Sequence, residues 1–400
     1  MDNDKRVMIQ IFTGGFKGNI IESAEIIQRI ESIRKNIDIY GVIIGWADNK
    51  ELYSKVKDYL TEKNIKMYYW FPVFSELGFY KKFQQVVDYT GETIENYNFQ
   101  EGEDFTFYCP NCKDNIKLVK DIYNEHFIDI PADGIFLDKI RYPSFSNGDK
   151  GIFTCFCEDC KEKMEQEGID VEELKEQIVR ITKDNTINPF GIVSSHDLKI
   201  QFKNDIIEKF YKFKKQSVYN SLKNITKYFK GIYKEVGLDI FAPPIAYFTG
   251  QDILELMELA DFVKPMYYRK TNAPAGIPFE FDKYAEYFSN NIDKKGVKDT
   301  LLNICGVEKE SRYTYSNCLL MKQLNKLSEK NKCHIYPGIE INFKKNIAEI
   351  DMNYIQSSVG TISKSKASGI VLSWDIMSAP MENIYAVSND YKGVKSLDSK

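Results

Sequence analysis

The chain has 400 residues, with 54 basic and 58 acidic side chains and a formal net charge of −4 at pH 7. This balance, together with the lack of a basic stripe, argues against a nucleic-acid partner. No apolar run approaches the roughly 18 residues of a membrane span, and the first residues lack the pattern of a signal peptide. The sequence therefore predicts a cytoplasmic protein without a membrane partner.

Eight short apolar runs, rich in β-branched and aromatic residues, alternate with stretches at helical spacing. This alternation predicts an α/β fold, a single (β/α)8 TIM barrel whose parallel strands are covered on both faces. Pro243 and Pro244 in the fifth run cannot donate ladder hydrogen bonds and indicate a strand end. The runs are 7–14, 37–48, 65–74, 133–143, 238–248, 261–269, 334–343 and 369–376.

Three connections are longer than the others: 75–112 after strand three, 144 to about 200 after strand four, and 270 to about 310 after strand six. All three follow strands, which places them on the C-terminal face, where barrel enzymes build active sites. No linker divides the chain, so we expect one domain over 1–395, with Cys-rich insertions at about 75–112 and 144–200, and a tail at 396–400. The helical region 197–236 is expected to cover the barrel or to bury an apolar face in a partner, and a homo-oligomer is possible.

Strand four, DGIFLDKIRYP at 133–143, carries an aspartate within an apolar run. Alternation places Phe136 and Asp138 on one face, and if the other face meets the helices, Asp138 points into the barrel mouth. A structural pair with Arg141 or Lys264 is one interpretation. A catalytic role is the other, because catalytic groups lie at the C-terminal ends of barrel strands.

The string D-G-I-x-L-D-x-I-R-Y-P resembles the fourth-strand motif of the glycoside hydrolase-like barrel proteins. The stretch VKPMYYR, 263–269, is similar to the P-M-x-Y-R ending of the sixth strand in the same group. The resemblance implies a barrel that acts on carbohydrate. It places Asp138 at the position analogous to the catalytic aspartate of α-amylase-like barrels.

Glycoside cleavage needs a second carboxyl group. Glu340, near the end of strand seven, is the favoured acid/base, with Asp375 at the end of strand eight as the reserve, and a solvent-facing Glu340 is the alternative. α-Amylase-like barrels place an acid glutamate at the end of strand five, but AYFTGQD here has none. A retaining or inverting outcome depends on the carboxylate separation, about 5 Å against about 6.5 Å or more, and stays open.

Aromatic residues at the strand ends suit the apolar faces of sugars, so we expect them to bind substrate. Lys264 interrupts an apolar strand and, inside the barrel, would require a carboxylate partner such as Asp138. An outward-turned Lys264 is the alternative. With Arg141 and Lys264, the predicted substrate-binding residues are Trp46, Trp70, Tyr247, Tyr267, Tyr268 and Trp374.

Five cysteines fall in the loops after strands three and four: Cys109, Cys112, Cys155, Cys157 and Cys160. Four thiolates form a closed structural zinc site, and five offer one ligand more than is needed. The C-x-C-x-x-C part resembles the zinc cluster of family 42 β-galactosidases, and this likeness implies Cys155, Cys157 and Cys160 as ligands with Cys109 or Cys112 as the fourth. Free or disulfide-bonded thiols are the alternative.

Two functions follow. The first is a glycoside hydrolase or transglycosidase that uses two carboxylates and a structural Zn²⁺ but no organic cofactor. The second is a catalytically inactive glycan-binding barrel, which the missing strand-five glutamate favours. A metal hydrolase with histidine ligands is disfavoured because His126, His196 and His334 are not paired at ligand spacing.

Overall fold

The computed structural model describes residues 5–16, 21–94, 104–196, 198–306, 315–330 and 332–388. Its centre is a closed barrel of eight parallel strands, which confirms the predicted fold class. The strands are β1 Arg6–Phe12, β2 Ile39–Gly45, β3 Lys66–Pro72, β4 Gly134–Asp138, β5 Glu235–Phe241, β6 Phe262–Met266, β7 His334–Ile335 continuing at Gly338–Glu340, and β8 Gly369–Ser373.

Each strand pairs with the next along the chain, and β8 pairs with β1 from Gly369 opposite Arg6 to Leu372 opposite Ile9. Strand β7 is interrupted: its first part pairs with β6 and its second part pairs with β8. Closure leaves no unpaired strand edge in the barrel, which stabilises the sheet and fixes where each strand end points.

Helices surround the barrel because each carries an apolar face toward it. In α2, Leu52, Val56 and Leu60 are buried at helical spacing, and the Asn49 side chain caps the helix by accepting from Leu52 N at 3.0 Å. The helices are α1 Ser23–Arg34, α2 Lys50–Glu62, α3 Lys113–Ile122, α4 Gly148–Ile152, α5 Glu158–Gln166, α6 Val171–Lys183, α7 Asp205–Lys230, α8 Pro243–Ala246, α9 Ile253–Leu256, α10 Ile277–Phe288, α11 Lys294–Ile304, α12 Asn317–Glu329, α13 Met352–Lys364 and α14 Met381–Ser388.

Every one of the eight predicted apolar runs overlaps a barrel strand, but the fifth begins three residues after its strand does. Strand β5 begins at Glu235 and ends at Phe241, and Pro243 opens the short helix α8. The apolar residues after Phe241 belong to that helix because a proline at the first helical turn loses no hydrogen bond.

The longest connections follow β3, β4 and β6. The β4 connection contains α4 to α7 and an antiparallel hairpin, Ile192–His196 with Lys199–Phe202, that the sequence analysis did not predict. The predicted tail 396–400 lies outside the described residues, and the domain bounds stay a prediction. Among the described helices, none is long and apolar enough to cross a membrane.

The barrel interior is filled in layers. Phe262 packs against Tyr68 and Phe136, with ring centroids 5.1 and 5.8 Å apart. Above these rings lie two polar pairs, Lys264 with Asp239 and Ser373 with Gln10. The polar layer forms the floor of a cleft at the C-terminal ends of the strands.

Candidate active site

A cleft of about 110 Å³ opens at the C-terminal ends of the strands. A larger cavity of about 590 Å³ lies at the opposite end, where Arg6, Glu235 and His334 begin their strands. Because barrel enzymes react at the C-terminal face, the smaller cleft is the candidate active site. Its lining is Gln10, Phe12, Trp46, Trp70, Phe105, Asp138, Lys139, Arg141, Asp239, Phe241, Met266, Tyr268, Thr271, Ala273, Pro274, Ala275 and Trp374.

Asp138 is half-buried at the end of β4 and lies in this cleft. Its Oδ2 accepts from Trp70 Nε1 at 2.9 Å, and its Oδ1 accepts from the backbone N of Lys139 at 2.5 Å. Two N–H donors stabilise a carboxylate in its charged form. The arrangement suits a nucleophile or a base.

Asp239 on β5 is the carboxylate that the sequence analysis missed. It pairs with Lys264, Oδ2 to Nζ at 2.9 Å, and both side chains are buried. Strands β4 and β5 pair with Leu137 opposite Leu238, so Asp138 and Asp239 occupy the next position of the same ladder. Their side chains therefore leave neighbouring strands on the same face of the sheet.

Burial raises the pKa of Asp239 to about 7, Lys264 opposes that rise, and the charge of Asp138 adds to it. Burial disfavours the charged form of Lys264, but the Asp239 carboxylate outweighs this and raises the pKa of the lysine. The interior lysine thus has a carboxylate partner, as the sequence indicated. That partner is Asp239 and not Asp138.

Arg141 is buried between two aromatic rings, with its guanidinium carbon 4.6 Å from the centroid of Phe107 and 4.2 Å from that of Phe241. Nη1 donates to the backbone oxygen of Tyr142 at 2.9 Å. Burial lowers the pKa of Arg141 to about 10, and the nearby carboxylates, led by Glu280, oppose that change. The planar group is held rigidly at the cleft wall.

Lys139, which follows Asp138, was also not predicted. Its φ of 53° is left-handed, as is the φ of 71° at Glu76. The two side chains form a buried ion pair, Nζ to Oε1 at 2.7 Å, and the Lys139 ammonium lies 3.6 Å from the Phe105 ring centroid. Strained backbone of this kind is concentrated at functional sites.

The structure brings four of the six predicted aromatic residues to the cleft: Trp46, Trp70, Tyr268 and Trp374. The other two lie in the helix layer. Tyr247 packs against Tyr211 and Phe248 beside α7, and Tyr267 donates to Gln323 of α12 at 3.2 Å.

Glu340 and Asp375, the predicted partners of Asp138, do not line the cleft. Glu340 is fully buried, and its carboxylate accepts from Lys270 N at 2.6 Å and from Tyr354 OH of α13 at 2.8 Å. Burial raises its pKa. It is satisfied by the connection after β6 and by the helix layer.

Asp375 caps the short 3-10 turn Ile376–Ser378 at the barrel rim. Its Oδ1 accepts from Met377 N at 3.2 Å and from Phe12 N at 3.3 Å. Burial raises its pKa to about 6. The carboxylate holds the end of β8 against the end of β1, which is a structural use.

Four of the five predicted metal ligands converge. The Sγ atoms of Cys109, Cys155, Cys157 and Cys160 all lie within 4.8 Å of one another, and all four residues are buried. Val87 N donates to Cys155 Sγ at 3.4 Å and Asn111 Nδ2 to Cys160 Sγ at 3.3 Å. Such a thiol set with N–H donors fits a closed tetrahedral metal site.

The fifth thiol, Cys112, lies outside the group, where it precedes α3. Hydrogen bonds with the neighbouring thiols, led by Cys109, lower the pKa of Cys157 well below its ordinary value. The cluster could hold a metal ion, and Cys109 rather than Cys112 joins the cluster from the β3 loop.

The sequence pattern around Asp239 also indicates an interior carboxylate. The segment GLDIF contains one acidic residue among apolar residues, as strand four does, and the lysine of VKPM follows on the next strand. Two opposite charges on neighbouring interior strands predict a pair. Because the predicted run five begins at Leu238, three residues after β5 does, Asp239 stands at the start of that run and not at an interior position.

No protein-family model and no curated protein matches the chain. Solved structures do. The glycoside hydrolase domain of PgaB (BpsB) from Bordetella bronchiseptica is 12% identical with a TM-score of 0.57, and the alignment covers 99% of each chain.

β-Galactosidases from Marinomonas ef1 and Halorubrum lacusprofundi are 10% and 9% identical, with TM-scores of 0.56 and 0.57. The alignments cover 96% and 97% of this chain, which spans 58% and 57% of the two β-galactosidases. At these identities the likeness shows the fold: the structural neighbours are glycoside hydrolases built on the same barrel.

Proposed function

We propose that this chain is a glycoside hydrolase that uses Asp138 and Asp239 as its two carboxyl groups. The observation that carries the proposal is that the two residues follow the Leu137–Leu238 pair of the β4–β5 ladder and lie side by side in an aromatic-lined cleft. The fold, shared with glycoside hydrolases, supports a carbohydrate substrate. The predicted carbohydrate activity is kept, while Asp239 replaces Glu340 as the second group.

The two carboxyl groups are suited to different tasks. Asp138 is supplied with N–H donors that favour its charged form, so it acts as nucleophile or base. Asp239 has a pKa of about 7 and can deliver a proton to the leaving-group oxygen. A buried acid with a raised pKa beside a carboxylate that accepts from N–H donors is typical of acid/base sites.

The spacing favours retention of configuration. The backbones of neighbouring strands lie about 4.8 Å apart, so two carboxyl groups that leave them on the same face can reach the roughly 5 to 5.5 Å separation of retaining enzymes. In that reaction a carboxylate oxygen of Asp138 bonds to the anomeric carbon as the bond to the leaving oxygen breaks and Asp239 protonates that oxygen. Water, deprotonated by Asp239, then displaces Asp138 and restores both groups.

We propose zinc as the metal of the cysteine cluster. Four thiolates in a closed, buried site are the donor set of structural zinc, and they leave no open position for substrate. The ion would join the connections after β3 and β4, which supply Phe105 and Lys139 to the cleft. Its role is structural.

A glycan-binding barrel without turnover is the second candidate. One observation favours it: Asp239 is only 2% exposed and is ion-paired with Lys264, so a substrate oxygen must approach a carboxylate that is already engaged. Binding would then use the aromatic cleft alone.

The test is release of sugar or aglycone from a panel of aryl glycosides and glycans by the wild type, Asp138→Asn and Asp239→Asn. We expect both variants to lose at least about 100-fold in kcat/KM, the usual contribution of a general acid or base. Azide rescue of an aryl glycoside with Asp138→Asn, giving a glycosyl azide of inverted configuration, would identify the nucleophile. Turnover that survives in both variants contradicts the assignment, whereas glycan binding without turnover by the wild type supports the binding barrel.

A further inference from the structure

Three buried polar atoms on cleft-lining residues have no hydrogen-bond partner: Trp46 Nε1, Asp239 Oδ1 and Thr271 Oγ1. The three residues are at most 2% exposed. More than about nine in ten buried polar groups in folded proteins are paired with protein or with water. Around this one cleft, three such groups have no protein partner: an N–H donor, a carboxylate oxygen and a hydroxyl. Their lack of partners indicates that they bind a ligand.

The shape of the cleft limits the size of that ligand. At about 110 Å³ it is much smaller than the roughly 300 to 1,000 Å³ of pockets that take drug-sized molecules. Phe12, Trp46 and Trp70 form a continuous wall over β1 to β3, with ring centroids 5.2 Å apart for the first pair and 5.4 Å for the second. The connection after β6 closes the opposite side with Thr271 and Ala275.

The charges at the cleft are matched within the protein. Asp239 pairs with Lys264, and Lys139 pairs with Glu76. Arg141 faces the combined charge of Glu280, Asp138 and Asp239. A ligand with a carboxylate or sulfate would meet these acids, so hydroxyl groups without net charge suit the site better.

We propose that the cleft is a well for one uncharged sugar ring at the end of a glycan, held through its hydroxyls by Trp46 Nε1 and Thr271 Oγ1. Resting on the proposed function, this makes the enzyme exo-acting: it removes terminal residues and does not cut within a chain. The ring would stack on the aromatic wall while Asp239 Oδ1 faces the glycosidic oxygen.

The contacts are tested by binding. Wild type, Trp46→Phe and Thr271→Val are titrated with free glucose, galactose, mannose, fucose and N-acetylglucosamine by calorimetry. Thr271→Val keeps the shape of the side chain and removes one hydroxyl, so we expect Kd for the sugar that binds to rise about five-fold, the usual effect of one hydrogen bond. Trp46→Phe removes the indole N–H together with one ring that packs against Phe12 and Trp70, so its Kd should rise by at least as much. Tyr315→Phe is the matched control because Tyr315 OH is also buried without a hydrogen-bond partner, yet lies against Tyr267 outside the cleft.

The mode of action is tested separately, from the first products of digestion of soluble polysaccharides. Release of monosaccharides as the first detectable products supports the proposed well. Early oligosaccharides overturn it while leaving the hydrolase proposal intact. Monosaccharide binding that weakens in Trp46→Phe and Thr271→Val supports the well even without turnover, whereas no monosaccharide binding, or equal effects in Tyr315→Phe, overturns it.

Discussion

Two carboxylates on neighbouring strands, Asp138 and Asp239, have different surroundings although they share one cleft. Asp138 accepts from two N–H groups, and Asp239 is buried against an ammonium. In the proposed reaction, these differences make Asp239 the proton donor and Asp138 the attacking carboxylate. The rate should therefore depend on the protonation of Asp239.

We expect kcat/KM to fall on the alkaline side with a midpoint near pH 7. The proton donor must be protonated, and burial raises the pKa of Asp239 to about 7. Lys264 lowers that pKa, so Lys264→Met should move the midpoint to higher pH. The pH profile of kcat/KM for an aryl glycoside, recorded for the wild type and for Lys264→Met, measures both midpoints.

Lys214→Met is the control for the loss of a buried lysine, since Lys214 is fully buried outside the cleft and donates to the backbone oxygens of Ile152 and Phe248. The alkaline midpoint of kcat/KM in Lys214→Met should equal that of the wild type. A midpoint that Lys264→Met leaves in place would show that another group delivers the proton.

Glu340→Gln separates the sequence prediction from the structure. We expect kcat/KM to stay within about two-fold, because the carboxylate contacts Lys270 N and Tyr354 OH and does not line the cleft. The free energy of unfolding should fall by about 1 to 3 kcal/mol, since the amide turns a donor toward one of these donors. A 100-fold loss of kcat/KM in fully folded protein would restore Glu340 as a catalytic residue.

Strand alternation was sufficient to predict that Asp138 and four of the six aromatic residues lie at the cleft, although their roles stay a prediction. It did not predict that Glu340, Tyr247 and Tyr267 turn away from the cleft. At the end of a strand, one residue of register decides whether a side chain turns to the cleft or to the helices. The convergence of Lys139 with Glu76 depends on two loops, and alternation along strands carries no information about loops.

At the scale of elements, the connections after β3 and β4 meet at the cysteine cluster. Cys109 comes from the first connection, and Cys155, Cys157 and Cys160 come from the second. An ion bound there would restrain two long segments that approach the cleft. Cysteine spacing predicted this convergence, but not which member of the C-x-x-C pair takes part.

Cys109→Ser and Cys112→Ser form a matched pair, since both alter the same C-x-x-C. We expect one zinc per chain in the wild type and in Cys112→Ser, and loss of most zinc in Cys109→Ser. The midpoint of thermal unfolding should fall by roughly 5 °C or more in Cys109→Ser alone, because several kcal/mol of metal binding are lost. Elemental analysis and calorimetry check both; zinc lost equally from the two variants would place the site differently.

At the scale of the whole molecule, barrel closure depends on close contact between β1 and β8. A Cβ at Gly369 would lie 2.0 Å from the backbone oxygen of Arg6. Eight strands were predictable from eight apolar runs, since parallel strands are covered on both faces. The close approach between the first and last strands was not, because it depends on the three-dimensional fit of residues more than 360 positions apart in the chain.

Gly369→Ala should therefore destabilise the protein by about 3 kcal/mol or more, because backbone atoms must move apart. Gly296→Ala is the control: its Cβ would have no neighbour closer than 3.6 Å, and α11 gains a better helix former. Denaturant unfolding should show that variant unchanged or up to about 1 kcal/mol more stable. Equal effects of the two substitutions would contradict this account of closure.

The cysteine cluster also changes how the chain is connected. Cys109 precedes β4 and Cys160 follows it, 51 positions later, so a bound ion closes a ring of chain that contains β4 and Asp138. A single protease cut within that ring would leave both pieces attached to one ion. A chelator would open that ring, and the two pieces would then be held together by the pairing of β4 with β3 and β5 and by the shared core alone.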